Sequence, residues 1–150
     1  MNNFIYILKL VQGKYYIGKT IEPITRISNH FKGYGSKWTR IYKPIQIIEV
    51  ISNCDKFDED KYTKMYMSKF GINNVRGGTY CTEYLNQNTI DLLNKEFYTA
   101  YDKCFNCGSN DHLANKCPNK YVDILNNTST NQNINNNNYE ENNNYDENSY

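Results

Sequence analysis

No apolar run in the 150 residues approaches the ~20 needed to cross a bilayer. The start, Met1-Asn2-Asn3, lacks a charged stretch followed by an apolar core, so no secretory leader is read. A soluble intracellular protein of cytoplasm or nucleus is expected, with no membrane partner. The five cysteines (Cys54, Cys81, Cys104, Cys107, Cys117) are odd in number, and three fall within fourteen residues around His112. In an intracellular chain that arrangement favours metal over disulfides. Beyond Lys120 there is no lysine or arginine, whereas five of the 16 acidic residues lie there. Residues 1–120 thus hold 17 basic against 11 acidic residues, a net +6 hidden beneath the overall +1. That balance favours a polyanionic partner. The last 25 residues also lack glycine and proline, and twelve of them are asparagine, with Ile134 the single aliphatic side chain. Such a segment cannot bury enough apolar area to offset chain entropy, so the tail from residue 120 to 150 is expected to be disordered.

What is present centres on Phe4 to His30. Phe4–Leu10 and Lys14–Thr20 are β-branched and aromatic runs, and Val11-Gln12-Gly13 suits a three-residue hairpin loop with glycine in the left-handed position. That loop sets Leu10 opposite Lys14, hence Tyr6 opposite Gly18 and Leu8 opposite Tyr16. Side chains alternate with period two, so Tyr6 and Tyr16 emerge on one face, and Gly18 leaves room for the Tyr6 ring. Pro23 then opens a helix in which Ile24, Ile27 and Phe31 form an apolar stripe, with Arg26 and His30 four apart on a neighbouring face. Two phenols, an arginine and a histidine can therefore converge where the helix crosses the sheet.

These residues resemble the GIY-YIG nucleases. Phe4-Ile5-Tyr6 stands where that family has Gly-Ile-Tyr, and Tyr16-Ile17-Gly18 matches the second triplet. Lys19 follows it, Arg26 lies eight residues after Gly18, and His30 lies four further on. The resemblance runs from about Phe4 to Gly78. It implies a metal-dependent endonuclease acting on DNA. Tyr6 would be the general base or water-orienting group, its phenol made more acidic by Lys19 or the metal. Tyr16 and His30 would orient water and phosphate, Arg26 would hold a phosphate oxygen, and a helix glutamate would hold Mg²⁺ or Mn²⁺. Strict alternation turns Lys19 away from the tyrosines unless the strand bulges after Gly18.

Further along, Lys37 to Lys43 is basic and aromatic, either a core tryptophan with solvated lysines around it or a surface that tracks a nucleic-acid backbone. Ile45–Ser52 reads as a strand covered on both faces, beside the hairpin. A helix capped within Asn53–Asp55 and stopped at Gly71 carries Asp58-Glu59-Asp60 in its first turns and buries Tyr62, Met65, Tyr66 and Met67. Glu59 is the expected metal ligand and Asp60 the fallback, while a helix N-terminus that simply prefers carboxylates is the bland alternative. Asn74 stands where the family has an active-site asparagine. Tyr84–Tyr101 reads as a helix with Leu85, Leu92, Leu93 and Phe97 on one side, either packed on the core or a connector.

Cys104-x2-Cys107-x4-His112-x4-Cys117 offers three thiols and one imidazole at tetrahedral zinc spacing, with Gly108 permitting the turn. The segment resembles a retroviral-type CCHC zinc knuckle, with Asp111 where glycine is usual. The resemblance implies one Zn²⁺. Phe105 and Leu113 would form a platform under a base of single-stranded DNA or RNA, and Lys103 and Lys116 would meet phosphates. The expected fold is α+β: a three-stranded, mainly antiparallel sheet flanked by helices. The expected division is a nuclease-like domain over 1–84, a helical connector over 85–102, the knuckle over 103–119 and the tail over 120–150. A catalytically silent nucleic-acid-binding protein on the same fold is the alternative, and a protein-interaction module has the lowest weight.

Overall fold

The computed structural model describes residues 2–119. The tail expected to be disordered lies outside the described residues. Strand β1 (Asn3–Leu10) and strand β2 (Tyr15–Thr20) form the expected antiparallel hairpin around Val11–Gly13. Gln12 and Gly13 both take positive φ, +60° and +68°. Tyr6 pairs with Gly18 and Leu8 with Tyr16, the register that parity requires, and no shift interrupts the pairing from Phe4 to Lys9. Helix α1 (Pro23–Phe31) and the short helix α2 (Lys37–Ile41) follow, then strand β3 (Pro44–Cys54) and helix α3 (Asp58–Phe70). A three-residue strand β4 (Val75–Gly77) and helix α4 (Gln87–Ala100) complete the secondary structure.

The sheet has four strands rather than three, in the order β3-β1-β2-β4. The added strand, β4, pairs in parallel with β2 from Tyr15 to Ile17. Two apolar layers cover the sheet. On one face Ile5, Ile7, Tyr15 and Ile17 pack with Met67 of α3, Val75 and Leu93 of α4. On the other, Tyr6, Leu8, Leu10 and Tyr16 pack with Ile27 and Trp38. Helix α4 is thus fastened to the core. A Lys64–Glu96 ion pair of 2.6 Å and a bond from Ser68 Oγ to Tyr101 Oη at 3.1 Å add to Leu93.

Several burial expectations are corrected. β3 is an edge strand, and Ile45, Ile47, Ile48 and Val50 are exposed; Ile47 and Val50 line an open cavity with Ile24, Ile27 and Phe31 of α1. Ile24 is 87% exposed and Phe31 46%; the buried residues of α1 are Ile27 and His30. Met65 and Leu92 also face solvent. No helix among the described residues is long and apolar enough to cross a membrane.

Candidate active site and metal centre

Tyr6, Tyr16 and His30 meet on the α1 side of the sheet. The Tyr6 and Tyr16 ring centroids lie 6.2 Å apart, and the His30 ring sits 5.5 Å and 4.9 Å from them. Gly18 makes this possible, since a Cβ there would run into the Tyr6 hydroxyl. Tyr6 Oη lies 2.8 Å from His30 Nε2, and His30 Nδ1 lies 2.8 Å from Thr39 Oγ1. His30 is only 1% exposed. Its Nε2 meets a phenol and its Nδ1 a threonine hydroxyl, so its neighbours in the site are Tyr6 and Thr39. The i, i+4 spacing from Arg26 put it on the right helix but did not reveal that α2 covers it.

Electrostatics follow from burial. Burial pushes the Tyr6 phenol well up, with the neighbouring Tyr16 adding to it and Arg26 only partly opposing it. Tyr16 is raised for the same leading reason. Burial and then the charge of Arg26 bring His30 down to about 4, so its imidazole is neutral near pH 7. For Arg26 itself, burial works to lower the pKa, but attraction to Tyr6 and then Tyr16 outweighs it and the guanidinium is held more firmly charged.

Glu59 arrives from the other face. Strand β4 ends at Gly77 opposite Ile17, which leaves the next stretch of the β2 edge uncovered. There Glu59 Oε1 accepts the Lys19 backbone N–H at 3.0 Å, and Glu59 Oε2 lies 4.0 Å from Lys19 Nζ. Glu59 is close enough for its charge to act on both Tyr6 and Tyr16. Lys19 pairs with Ile5 without a bulge, so its side chain does turn away from the phenols, toward Glu59 and the Lys56 carbonyl. Asp60 is engaged elsewhere: its two oxygens accept the Thr79 N–H at 2.7 Å and the Thr79 hydroxyl at 2.5 Å. Asn74 is not brought to the cluster. Its amide donates to the Phe70 carbonyl at 2.8 Å and accepts from Lys14 Nζ at 2.8 Å, closing the turn between α3 and β4.

Sequence reasoning overlooked Thr39, Gly35 and Arg76. A Cβ on Gly35 would collide with His30 Nδ1, so this glycine makes room for the imidazole as Gly18 does for the phenol. Arg76 is 1% exposed, stacks at 4.7 Å over Trp38 and donates to the carbonyls of Ile72, Val75, Thr82 and Glu83. Nothing local in the sequence signals a buried guanidinium serving carbonyls.

At the C-terminal end of the described chain, ligand atoms of Cys104, Cys107, His112 and Cys117 all lie within 4.8 Å of one another. Burial works to raise the Cys104 thiol, but backbone hydrogen bonds from Cys107 and Asn106 outweigh it and bring it down to about 7. Three thiols and an imidazole so arranged fit a tetrahedral zinc ion. Gly108 (φ +75°) rests against the Tyr98 ring, and the Lys103 N–H donates to the Tyr98 carbonyl at 2.8 Å, which seats this segment on the end of α4. Phe105 and Leu113 stand exposed around a cavity of about 560 Å³ that Lys103 also lines. Lys116 is exposed beside it, in the turn Ala114–Lys116.

Residues 2–69 match the family model of the GIY-YIG catalytic domain, and residues 102–119 match the zinc knuckle. A UPF0213 protein of Pediococcus pentosaceus is 26% identical over 91 residues, 61% of this chain and 88% of that protein. UPF0213 protein BH0048 of Halalkalibacterium halodurans is 38% identical over 48 residues, 32% of this chain and 51% of that protein. A UPF0213 protein of Staphylococcus aureus is 30% identical over 47 residues, 31% of this chain and 57% of that protein. The chain spans little more than half the length of the latter two. No solved structure matches it. The chain carries a nuclease-type GIY-YIG catalytic domain in its N-terminal half and a CCHC zinc knuckle behind it.

Proposed function

We propose that the protein is a metal-dependent endonuclease that hydrolyses phosphodiester bonds of DNA, with the knuckle holding a single-stranded stretch of DNA or RNA. The observation behind this is the convergence of Tyr6, Tyr16, Arg26 and His30 beside Gly18, with Glu59 at the open edge of β2. Residues 1–84, with the helix of 85–102 packed on them, would form the catalytic part, and 103–119 the binding part.

A phenol pushed up by burial cannot act as a standing phenolate. Tyr6 acts instead as one link of a relay. The attacking water gives its proton to the Tyr6 oxygen as Tyr6 passes its own to His30 Nε2. The electron pair of the broken O–H bond forms the new P–O bond, and the leaving oxygen keeps the pair of the broken P–O bond and takes a proton from solvent. Arg26 holds a non-bridging phosphate oxygen through its fork, and Tyr16 orients the water. Lys19 acts through Glu59, whose carboxylate it steadies, rather than through the phenols.

The residues fit a single hard divalent cation. The Glu59 side chain is 24% exposed, and among the described residues its Oε2 has only the loose 4.0 Å ion pair with Lys19. Mg²⁺ retains several waters and asks for one or two protein carboxylates. Bound there, Mg²⁺ or Mn²⁺ supplies Lewis-acid neutralisation of the charge that develops on phosphate.

The test is purified protein on a panel of duplex, branched and single-stranded DNA with and without Mg²⁺. Divalent-dependent nicking that disappears in Tyr6→Phe supports the reading. Binding without nicking by the wild type selects the silent binding protein instead.

A further inference from the structure

We infer that Thr39 is the positioning residue of the site: its hydroxyl fixes the His30 tautomer, and so decides whether the imidazole can receive the Tyr6 proton. The His30 ring is enclosed, with one partner at each nitrogen: Tyr6 Oη at 2.8 Å from Nε2 and Thr39 Oγ1 at 2.8 Å from Nδ1. Being neutral, the ring carries a single proton, on one nitrogen or the other. Counting donors selects between them.

On the phenol side, Tyr6 is fully buried, and its hydroxyl has one hydrogen to place. The phenol proton needs an acceptor, and His30 Nε2 is the one within hydrogen-bond reach. Nε2 is therefore bare and Nδ1 carries the proton. On the other side, Thr39 Oγ1 lies 3.0 Å from the Ser36 carbonyl and 3.2 Å from Ser36 Oγ, so it has acceptors for its own hydrogen and can turn a lone pair to the Nδ1–H. The Thr39 end accommodates the tautomer that the phenol end selects, and the chain of donation then runs Tyr6 to His30 to Thr39 to Ser36.

The local fold holds this arrangement in place. Ser36 is the N-cap of α2, and its side chain accepts the Thr39 N–H at 3.3 Å, so the cap and the hydroxyl are set by the same turn. Thr39 is 1% exposed. At Gly35 a Cβ would strike both His30 Nδ1 and Thr39 Oγ1, so the bond between them exists only because that residue has no side chain. Without the hydroxyl, a buried Nδ1–H would lack an acceptor, and the ring would move its proton to Nε2. An Nε2–H directed at the phenol blocks the relay at its first link.

The effect on rate rests on the nuclease reading, but the tautomer does not, and the experiment separates them. Nitrogen-15 NMR of the full chain labelled at histidine reads the His30 tautomer directly. Near neutral pH, wild type and Thr39→Ser should show the Nδ1–H form, and Thr39→Val should shift toward Nε2–H. DNA nicking should fall about 100-fold in Thr39→Val and stay within about threefold of wild type in Thr39→Ser, in line with loss of a general base. An Nε2–H tautomer in the wild type overturns the inference whatever the activity, and needs no variant that folds. Loss of nicking in Thr39→Val with the Nδ1–H form unchanged, or with no rescue in Thr39→Ser, also overturns it and leaves Thr39 a packing residue. If the wild type nicks nothing yet shows the expected tautomers, the nuclease reading fails while the positioning stands.

Discussion

Glu59 Oε1 accepts the backbone N–H of Lys19 at 3.0 Å, one residue past Gly18, where β4 no longer covers the edge of β2. A residue on α3 thereby reaches past the side of the sheet toward phenols on the opposite face. Because the strand edge ends there, no side chain has to pass through the sheet.

From this placement Glu59→Gln should abolish Mg²⁺-dependent nicking and leave the fold nearly intact, since the amide oxygen still accepts from Lys19. Asp60→Asn should do the converse. It weakens the bonds to Thr79, costing up to about 1.5–3 kcal/mol, the worth of hydrogen bonds to a charged group, with Mg²⁺ affinity unchanged. Melting curves and Mg²⁺ titration of the two variants measure both effects; wild-type turnover in Glu59→Gln would remove it as the ligand.

Arg26 faces two phenols and is held charged by them. Arg26→Ala should slow nicking by about two to three orders of magnitude, as loss of one charge-stabilising donor does. Single-turnover rates at saturating enzyme measure this. A small effect would mean that Arg26 serves only to hold the phenols.

How much of this was legible depends on how local each constraint is. The hairpin register followed from a three-residue loop, because parity then fixes which residue faces Gly18. The end of α3 followed from Gly71, and the four knuckle positions from spacing alone, whereas the helix starts at Asp58, past the expected caps, because β3 runs on through Cys54. By contrast, the exposure of Ile47 and Val50 depends on how closely α1 packs against them across an open cavity, which no property of β3 encodes. β4 escaped notice because three residues carry no periodicity. Helical spacing sets His30 on the face next to Arg26, but it does not tell that Thr39 of α2 lies over the ring. Asn74 was placed by its distance from the acidic helix, whereas its amide is occupied by a turn.

His30 also ties stability to pH. Its folded-state value of about 4 lies below the ordinary 6.5, so the unfolded chain binds the extra proton first as pH falls. Its contribution is present above pH 6.5 and is lost as pH drops through 6.5 to about 4, a loss on the order of 3 kcal/mol. Melting temperature measured from pH 7.5 to 4.5 should fall more steeply for wild type than for His30→Gln. Parallel curves would mean that the imidazole is not held neutral.

The final prediction concerns the knuckle, which rests on the end of α4, where Gly108 meets the Tyr98 ring and the Lys103 N–H donates to the Tyr98 carbonyl. None of its residues belongs to the core clusters beyond the sheet. Truncation after Lys103 should therefore leave a folded, nicking protein with weaker binding to substrates that have single-stranded parts. The full chain should hold one equivalent of zinc, and Cys107→Ser none, because metal binding and folding of so short a segment are one event. Phe105→Ala should keep its zinc and still lose about 1–3 kcal/mol of binding to a single-stranded oligonucleotide, the worth of one base stacked on an aromatic ring. Fluorescence anisotropy with the full chain, Phe105→Ala and the truncated form reads this. Equal affinities across the three would assign the cavity between Phe105 and Leu113 to a protein contact instead.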